Sequence, residues 1–362
     1  MNAKPGQPIP RPAAWTGDEL TRNTEWIWQL SSAELAEIDN AVEHAKSLNK
    51  PVLRITREDF PLPVFTRRLQ AMGVELENGR GIVLLRGLPV AYSRRDMEIA
   101  YWGIGTHLGV AVTQGGRGEL LGLVQDEGGA SVPMTKIRHS KTTLRIKVHA
   151  DRADWVGLLC VRTAKSGGSS LITSAAAIHN TILERRPDLI DVFYQDVYHS
   201  RQGDEAPGEA KAYPKPMFGF REGYFAGQFS PLYVRTAQLH PEIPRLTPRQ
   251  LEALDCFEEI AQELALSMHF EPGDMQFLNN HLTYHSRTAF EDHPERERKR
   301  LLLRLWLAPP NSWPLPRGYE LLWGSIEPGV IRGGVPSKHG WRDVISMRAH
   351  EDKLQATGAA TK

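Results

Sequence analysis

His149 and Asp151 stand one residue apart in the stretch from Lys147 to Ser174, KVHADRADWVGLLCVRTAKSGGSSLITS. Side chains alternate along a strand, so both leave the same face. An imidazole nitrogen beside a carboxylate oxygen fills two adjacent corners of an octahedral metal site. A second histidine from elsewhere completes a two-histidine, one-carboxylate triad, whose open positions suit non-haem Fe(II) and oxygen chemistry. The chain has 13 histidines, so pairs of this kind also arise by accident. His240-Pro-Glu242, His269-Phe-Glu271, His293-Pro-Glu295 and His350-Glu-Asp352 repeat the pattern. Context separates them. His350 has no histidine after it, and His240 and His293 precede prolines in polar, turn-like surroundings. Only His149 is followed by an apolar strand, Trp155 to Val161, a Gly-Gly turn and a second strand, Ser170 to Thr173.

The third ligand must come from downstream, and GDMQFLNNHLTYHSRTAF, residues 273–290, offers His281 and His285. They share parity, so a strand can present both, and spacing does not choose between them. Next comes RKRLLLRLWL, residues 298–307. As a strand it puts Arg300, Leu302, Arg304 and Trp306 on one face and Leu301, Leu303 and Leu305 on the other, which must be core. Guanidinium groups inside a barrel need an anion, because a buried unpaired charge costs several kcal/mol. Protein carboxylates meet that need, and so does a bound dicarboxylate, whose geometry the arginine fork matches.

The elements that position these residues are legible in outline. Ser31 and Glu34 have capping-box spacing ahead of Leu35, Ile38, Val42 and Ala45, and Thr247-Pro248-Arg249-Gln250 repeats that signal before Leu251, Leu254, Phe257 and Ile260. Further helices are expected over Val64–Met72 and Arg94–Leu108, from Ser174 through Glu184, and after Pro187. Strands are expected over residues 81–87, Met275–Leu278 and Arg300–Leu307, the last two following the Pro272-Gly273-Asp274 turn. Two Gly- and Pro-rich stretches, 109–145 and 199–240, flank the ligand motifs in sequence. They are expected as loops and hairpins that close over a substrate. Residues 1–25 read as an arm, 26–340 as one helix-buttressed domain, and 341–362 as a tail with a weak helix. Strands gathered late among inserted helices suit a mainly β jelly roll.

Composition narrows the function. Lys and Arg number 44 against 43 Asp and Glu, which gives no support for a nucleic-acid or anionic-membrane partner. Two cysteines, Cys160 and Cys256, set no disulfide framework and point to a reducing compartment. MNAKPGQPIPRPAAW lacks the apolar core of a signal peptide, and no apolar run is long enough to span a membrane. The expectation is a soluble, cytoplasmic protein acting on a small molecule, with a homo-oligomer compatible with the sequence.

HADRADWVGLLCVRTAKSGGSS, GDMQFLNNHLTYHSRTAFED and RKRLLLRLWLAPP together resemble the taurine dioxygenase-like branch of Fe(II)/2-oxoglutarate-dependent dioxygenases, over roughly residues 80–310. The resemblance implies the clavaminate synthase-like double-stranded β-helix, with His149, Asp151 and His285 as iron ligands. It places the family's hydroxyl residue on Ser170 and its cosubstrate arginine on Arg300, with Arg304 close behind. Two departures stand out. Ala150 replaces the commoner Thr or Ser between the ligands, and the spacing from His285 to Arg300 is long, which keeps Arg304 as the alternative. By the same resemblance 2-oxoglutarate chelates iron while Arg300 and Ser170 hold its distal carboxylate. Dioxygen then oxidises a substrate C–H bond with release of succinate and CO2. Arg304 as a second anion site points to a carboxylate- or amino-acid-like substrate. A zinc hydrolase using the same three ligands, or a non-catalytic binding protein on the same barrel, are the alternatives.

Overall fold

The computed structural model describes residues 2–128, 141–205 and 208–335. Two sheets form its centre. The larger runs in the order Ile27–Gln29, Ile82–Arg86, Met275–Asn279, Trp155–Arg162, Leu301–Ala308, Val110–Ala111, and Leu121–Val124 also pairs with Leu301–Ala308. Its first pair is parallel and the rest are antiparallel. The smaller sheet runs Leu266–Met268, Ser170–Ser174, Thr283–Arg287, Ile146–His149, all antiparallel.

Period-two patterning decides what each sheet buries. On the strand Leu301–Ala308 the odd-numbered leucines face outward into a core shared with the helices Ser32–Ser47, Phe65–Asn78 and Arg94–Leu108. Inner-face residues Leu84, Val156, Leu278 and Trp306 meet Ile172, Leu266 and Met268 of the smaller sheet. Behind that sheet, Leu282 and Tyr284 pack on helices Ala175–Arg185 and Pro248–Glu263 through Ile178, Ile182, Leu254 and Phe257. The layers are therefore helix, sheet, sheet, helix, the sheet-rich class with flanking helices that the patterning predicts. Successive strands switch sheets: Ile146–His149, Trp155–Arg162 and Ser170–Ser174 alternate, as do Met275–Asn279, Thr283–Arg287 and Leu301–Ala308.

Capping chemistry holds where it was read. Ser31 and Thr247 both form reciprocal capping boxes, and Pro248 is the first helical residue. Other elements depart from expectation. The stretch expected as an N-terminal arm carries a third capping box, Thr16 with Glu19, on the helix Gly17–Arg22, and buries Ile9, Ala13, Trp15 and Leu20. Pro187 begins no helix; a short 3-10 turn follows at Ile190–Tyr194. The stretch 109–145 is not all loop, since Leu121–Val124 is a sheet strand. Within 199–240 the expected hairpins are present, Asp196–Ser200 with Ala212–Pro216 and Gly219–Arg221 with Tyr224–Ala226, but a helix follows at Pro231–Ala237. Residues 129–140 of the first stretch, 206–207 of the second, and the tail from 341 with its weak helix lie outside the described residues.

Candidate active site

His149 ends its strand and pairs in register with His285 on Thr283–Arg287, which sets the two rings side by side with centroids 4.3 Å apart. Asp151 follows in the turn after His149. Its backbone N–H donates to Asn280 Oδ1 at 3.0 Å, while Asn280 Nδ2 donates to the Ala153 carbonyl at 2.8 Å. One carboxylate and two imidazoles thus converge: Asp151 Oδ1 lies 3.7 Å from His149 Nε2 and Oδ2 lies 3.8 Å from His285 Nε2. One ligand atom from each of the three lies within 4.8 Å of the others, a spacing that one metal ion can bridge.

Protonation suits that use. His149 Nδ1 is 2.9 Å from the Lys147 carbonyl, which can only accept, so Nδ1 carries the proton and Nε2 is free. Burial, followed by the neighbouring His149, pushes His285 down to about 3, so its ring is neutral at neutral pH. Burial alone would raise Asp151. Arg304, His285, His149 and a hydrogen bond from Trp306 outweigh it and hold the carboxyl below its usual range. The Trp306 indole donates to Asp151 Oδ2 at 2.8 Å, and Arg304 Nη1 stands 3.6 Å from the same oxygen.

The trio opens on a cavity of about 280 Å³, whose lining includes Ser170, Arg300 and Arg304 as well as all three converging residues. Gly167 and Gly168 make the turn before Ser170 with φ of +72° and +73°, a conformation that favours glycine. A Cβ on Gly167 would meet the Ala289 carbonyl at 2.5 Å, and one on Gly168 would sit 3.4 Å from Arg300 Nε. Arg300 precedes its strand, is buried, and has a guanidinium nitrogen, Nη1, without a hydrogen-bond partner. Arg304 differs: its Nε donates to Gln114 Oε1 at 2.7 Å and its Nη1 stands beside Asp151, so it is not an unpartnered cation. Both Gly-rich stretches reach the cavity, the first through Val124 and the second through Gln202, Asp204, Ser230 and Tyr233.

His281 is elsewhere. It lies in the turn between strands, not on one, and its Nε2 is 2.8 Å from Asp154 Oδ1. Arg332 also donates to Asp154, and Trp323 packs on the His281 ring with centroids 4.7 Å apart. Sequence reasoning passed over Trp306, Gln114 and Arg287. Trp306 shares parity with Arg300 and Arg304, and Arg287 shares parity with His285, so both had a signal. Gln114 sits 190 residues from Arg304 in an irregular stretch and had none.

A profile of the taurine catabolism dioxygenase TauD, TfdA family matches residues 46–306. The chain belongs to this family. As a TauD, TfdA family member it is a dioxygenase, an oxidoreductase that works with iron, 2-oxoglutarate and dioxygen. FR-33289 synthase of Streptomyces rubellomurinus is 32% identical over 323 residues, which cover 86% of this chain and 93% of that protein. Taurine hydroxylase-like protein SAT17 of Stachybotrys chartarum is 28% identical, covering 84% of this chain and 81% of the relative. Among solved structures, asparagine oxygenase with Fe(II), 2S,3S-3-hydroxyasparagine and succinate is similar at TM-score 0.62 and 15% identity, over 78% of this chain and 93% of that one. The non-haem iron oxygenase OrfP with Fe and alpha-ketoglutaric acid is similar at TM-score 0.60 and 14% identity, over the same shares, 78% and 93%. These structural likenesses are likenesses of fold.

Proposed function

We propose that this TauD, TfdA family member oxidises a C–H bond of a small carboxylate- or amino-acid-like molecule, coupled to conversion of 2-oxoglutarate to succinate and CO2. In this reading the alternating strands wind as a double-stranded β-helix, and His149, Asp151 and His285 hold Fe(II). Ser170 and Arg300 hold the distal carboxylate of 2-oxoglutarate. The observation that carries the reading is the pairing, within one cavity, of the converging His149, Asp151 and His285 with a buried arginine nitrogen that has no partner. A dicarboxylate that chelates the metal and reaches Arg300 satisfies both features, so the residues present fit the group. When bound, iron and 2-oxoglutarate supply the oxidising chemistry.

The chain's own residues prepare that chemistry. Lys147 fixes the His149 tautomer, and Asn280 fixes the turn that carries Asp151. Trp306 and Arg304 keep the Asp151 carboxylate ionised and oriented. Arg304 is thereby given a supporting role beside the metal. The substrate class is supported by the amino-acid ligands named in the related structures, 3-hydroxyasparagine and 3-hydroxyarginine. The test is substrate-stimulated oxygen uptake over a panel of small acids with Fe(II) and 2-oxoglutarate, with succinate measured alongside. Succinate formed in step with oxygen consumed is the expected result. Absence of 2-oxoglutarate-dependent oxygen uptake and of succinate across the panel would overturn it.

A further inference from the structure

Arg287 lies two residues beyond His285 on the same strand, and its register partner across the sheet is Ser170. Period two turns it to the cavity face, and it lines the cavity with Arg300. Both guanidinium groups stack on one phenyl ring: the Arg287 and Arg300 carbons stand 4.6 Å and 5.3 Å from the Phe290 centroid. Each retains a buried nitrogen without a partner, Nε of Arg287 and Nη1 of Arg300. Among the described residues, no acidic side chain forms an ion pair with either. Asp126, the acid whose charge reaches Arg287, is instead 3.5 Å from Lys299, and the Asp292 Oδ1 accepts from the Arg300 backbone N–H. Two buried cations sharing one ring and lacking a paired acid call for an anion with more than one oxygen to offer.

A structural duty exists for Arg287, since its Nη2 donates to the Thr142 and Leu144 carbonyls at 2.6 Å and 2.5 Å. Those contacts fix the guanidinium in place but bring no negative charge. They leave it without a paired acid.

We infer that Arg287 is a second anchor for the distal carboxylate of 2-oxoglutarate, acting together with Arg300 opposite Ser170; the inference rests on the cosubstrate reading above. Because Arg287 also grips the chain just before the strand Ile146–His149, it joins the cosubstrate end of the cavity to the strand that carries His149.

The test compares two iron-chelating keto acids under anaerobic conditions with Fe(II), read from the charge-transfer absorbance: 2-oxoglutarate, and 2-oxobutanoate, which lacks the distal carboxylate. Arg287→Gln is expected to weaken 2-oxoglutarate by about 10- to 100-fold, the range for a lost hydrogen bond to a charged group, and to leave 2-oxobutanoate unchanged. Arg287→Lys is expected to recover part of the loss. Equal weakening of both keto acids would reduce Arg287 to a structural pin, and no weakening of either would remove it from the site. If Arg287→Gln fails to fold, the same ratio measured on Arg287→Lys decides. Wild-type protein that binds neither keto acid would overturn the cosubstrate reading itself, an outcome separate from failure of the Arg287 assignment.

Discussion

A histidine can ligate a metal only when a ring nitrogen is free of protein partners and faces the other ligands. His285 Nε2 meets that condition, 3.8 Å from Asp151 and beside the His149 ring. His281 does not: its Nε2 is taken by an Asp154 that also holds Arg332, and its unpartnered Nδ1 is no part of the cluster that His149, Asp151 and His285 form. His285→Ala is therefore expected to abolish Fe(II) binding with little change in folding. His281→Ala is expected to keep Fe(II) affinity within the roughly 10- to 100-fold loss typical of outer-sphere changes, and to lower stability by about 1.5–3 kcal/mol. Fe(II) titration paired with urea unfolding checks both, and the reverse ranking would mean that the ligand is His281. Parity cannot separate the two from sequence because the period-two rule holds only within a strand, and His281 sits in the turn before Thr283. The flanking motif, not the spacing, favours His285. Arg300 and Arg304 were legible as a pair on one face, whereas what sets them apart, the Gln114 and Asp151 partners of Arg304, comes from distant parts of the chain.

Helix Phe65–Asn78 is fixed to the larger sheet by a buried acid. Glu77 accepts from the Trp155 indole at 2.6 Å and lies under Asn279, whose amide reaches the Leu76 carbonyl at 3.1 Å. Burial, then the charge of Asp154, pushes Glu77 up to about 8. A carboxyl raised above its unfolded value stabilises fully below that value, and the stabilisation is lost as pH rises through the folded one. Wild-type stability is expected to decline from about pH 4.5 towards pH 8 on account of this residue. Glu77→Gln keeps an oxygen for Trp155 and removes the titration, so its melting temperature should exceed wild type by a few degrees at pH 8 and match it near pH 5. Thermal melts of both proteins across that range are the check, and parallel curves would show that Glu77 is already ionised. The helix itself was legible from its apolar spacing, though it runs six residues past the expected end at Met72. Elements whose ends carry their own chemistry, such as the capping boxes at Ser31 and Thr247, were the readable ones. Leu121–Val124 was hidden because four residues beside a glycine-rich run show no period, and it becomes a strand by pairing with Leu302–Leu305. Pro231–Ala237, seven residues long, is likewise too short to display helical spacing.

The chain returns to the loop that carries Asp151 after the last sheet strand, and one arginine makes the closure. Arg332 is 1% exposed and donates to both oxygens of Asp154, at 2.8–3.1 Å, within the turn that also carries Asp151. On either side of it the backbone is tied down: Gly333 N–H donates to the Trp323 carbonyl, Gly334 N–H to that of Arg152 at 2.7 Å, and Val335 N–H to that of Thr113 at 2.8 Å. This segment thus clasps residues 152–154 and 113 together, behind Asp151 and beside Gln114. Burial raises Asp154, but Arg332 and His281 outweigh it and hold the carboxyl below its ordinary range. With a depressed folded value, the clasp stabilises above the ordinary carboxylate range and is lost as pH falls through the depressed value. Arg332→Ala leaves Asp154 buried with only His281, and breaking a buried pair from one side costs about 3–5 kcal/mol. Urea unfolding at neutral pH should show that loss, and the gap to wild type should narrow as the solution is acidified. Because the clasped turn positions Asp151, Fe(II) affinity should also fall by about 10- to 100-fold. The full stability loss with unchanged Fe(II) affinity would confine the clasp to folding. No stability loss at neutral pH would mean that His281 alone suffices to hold Asp154.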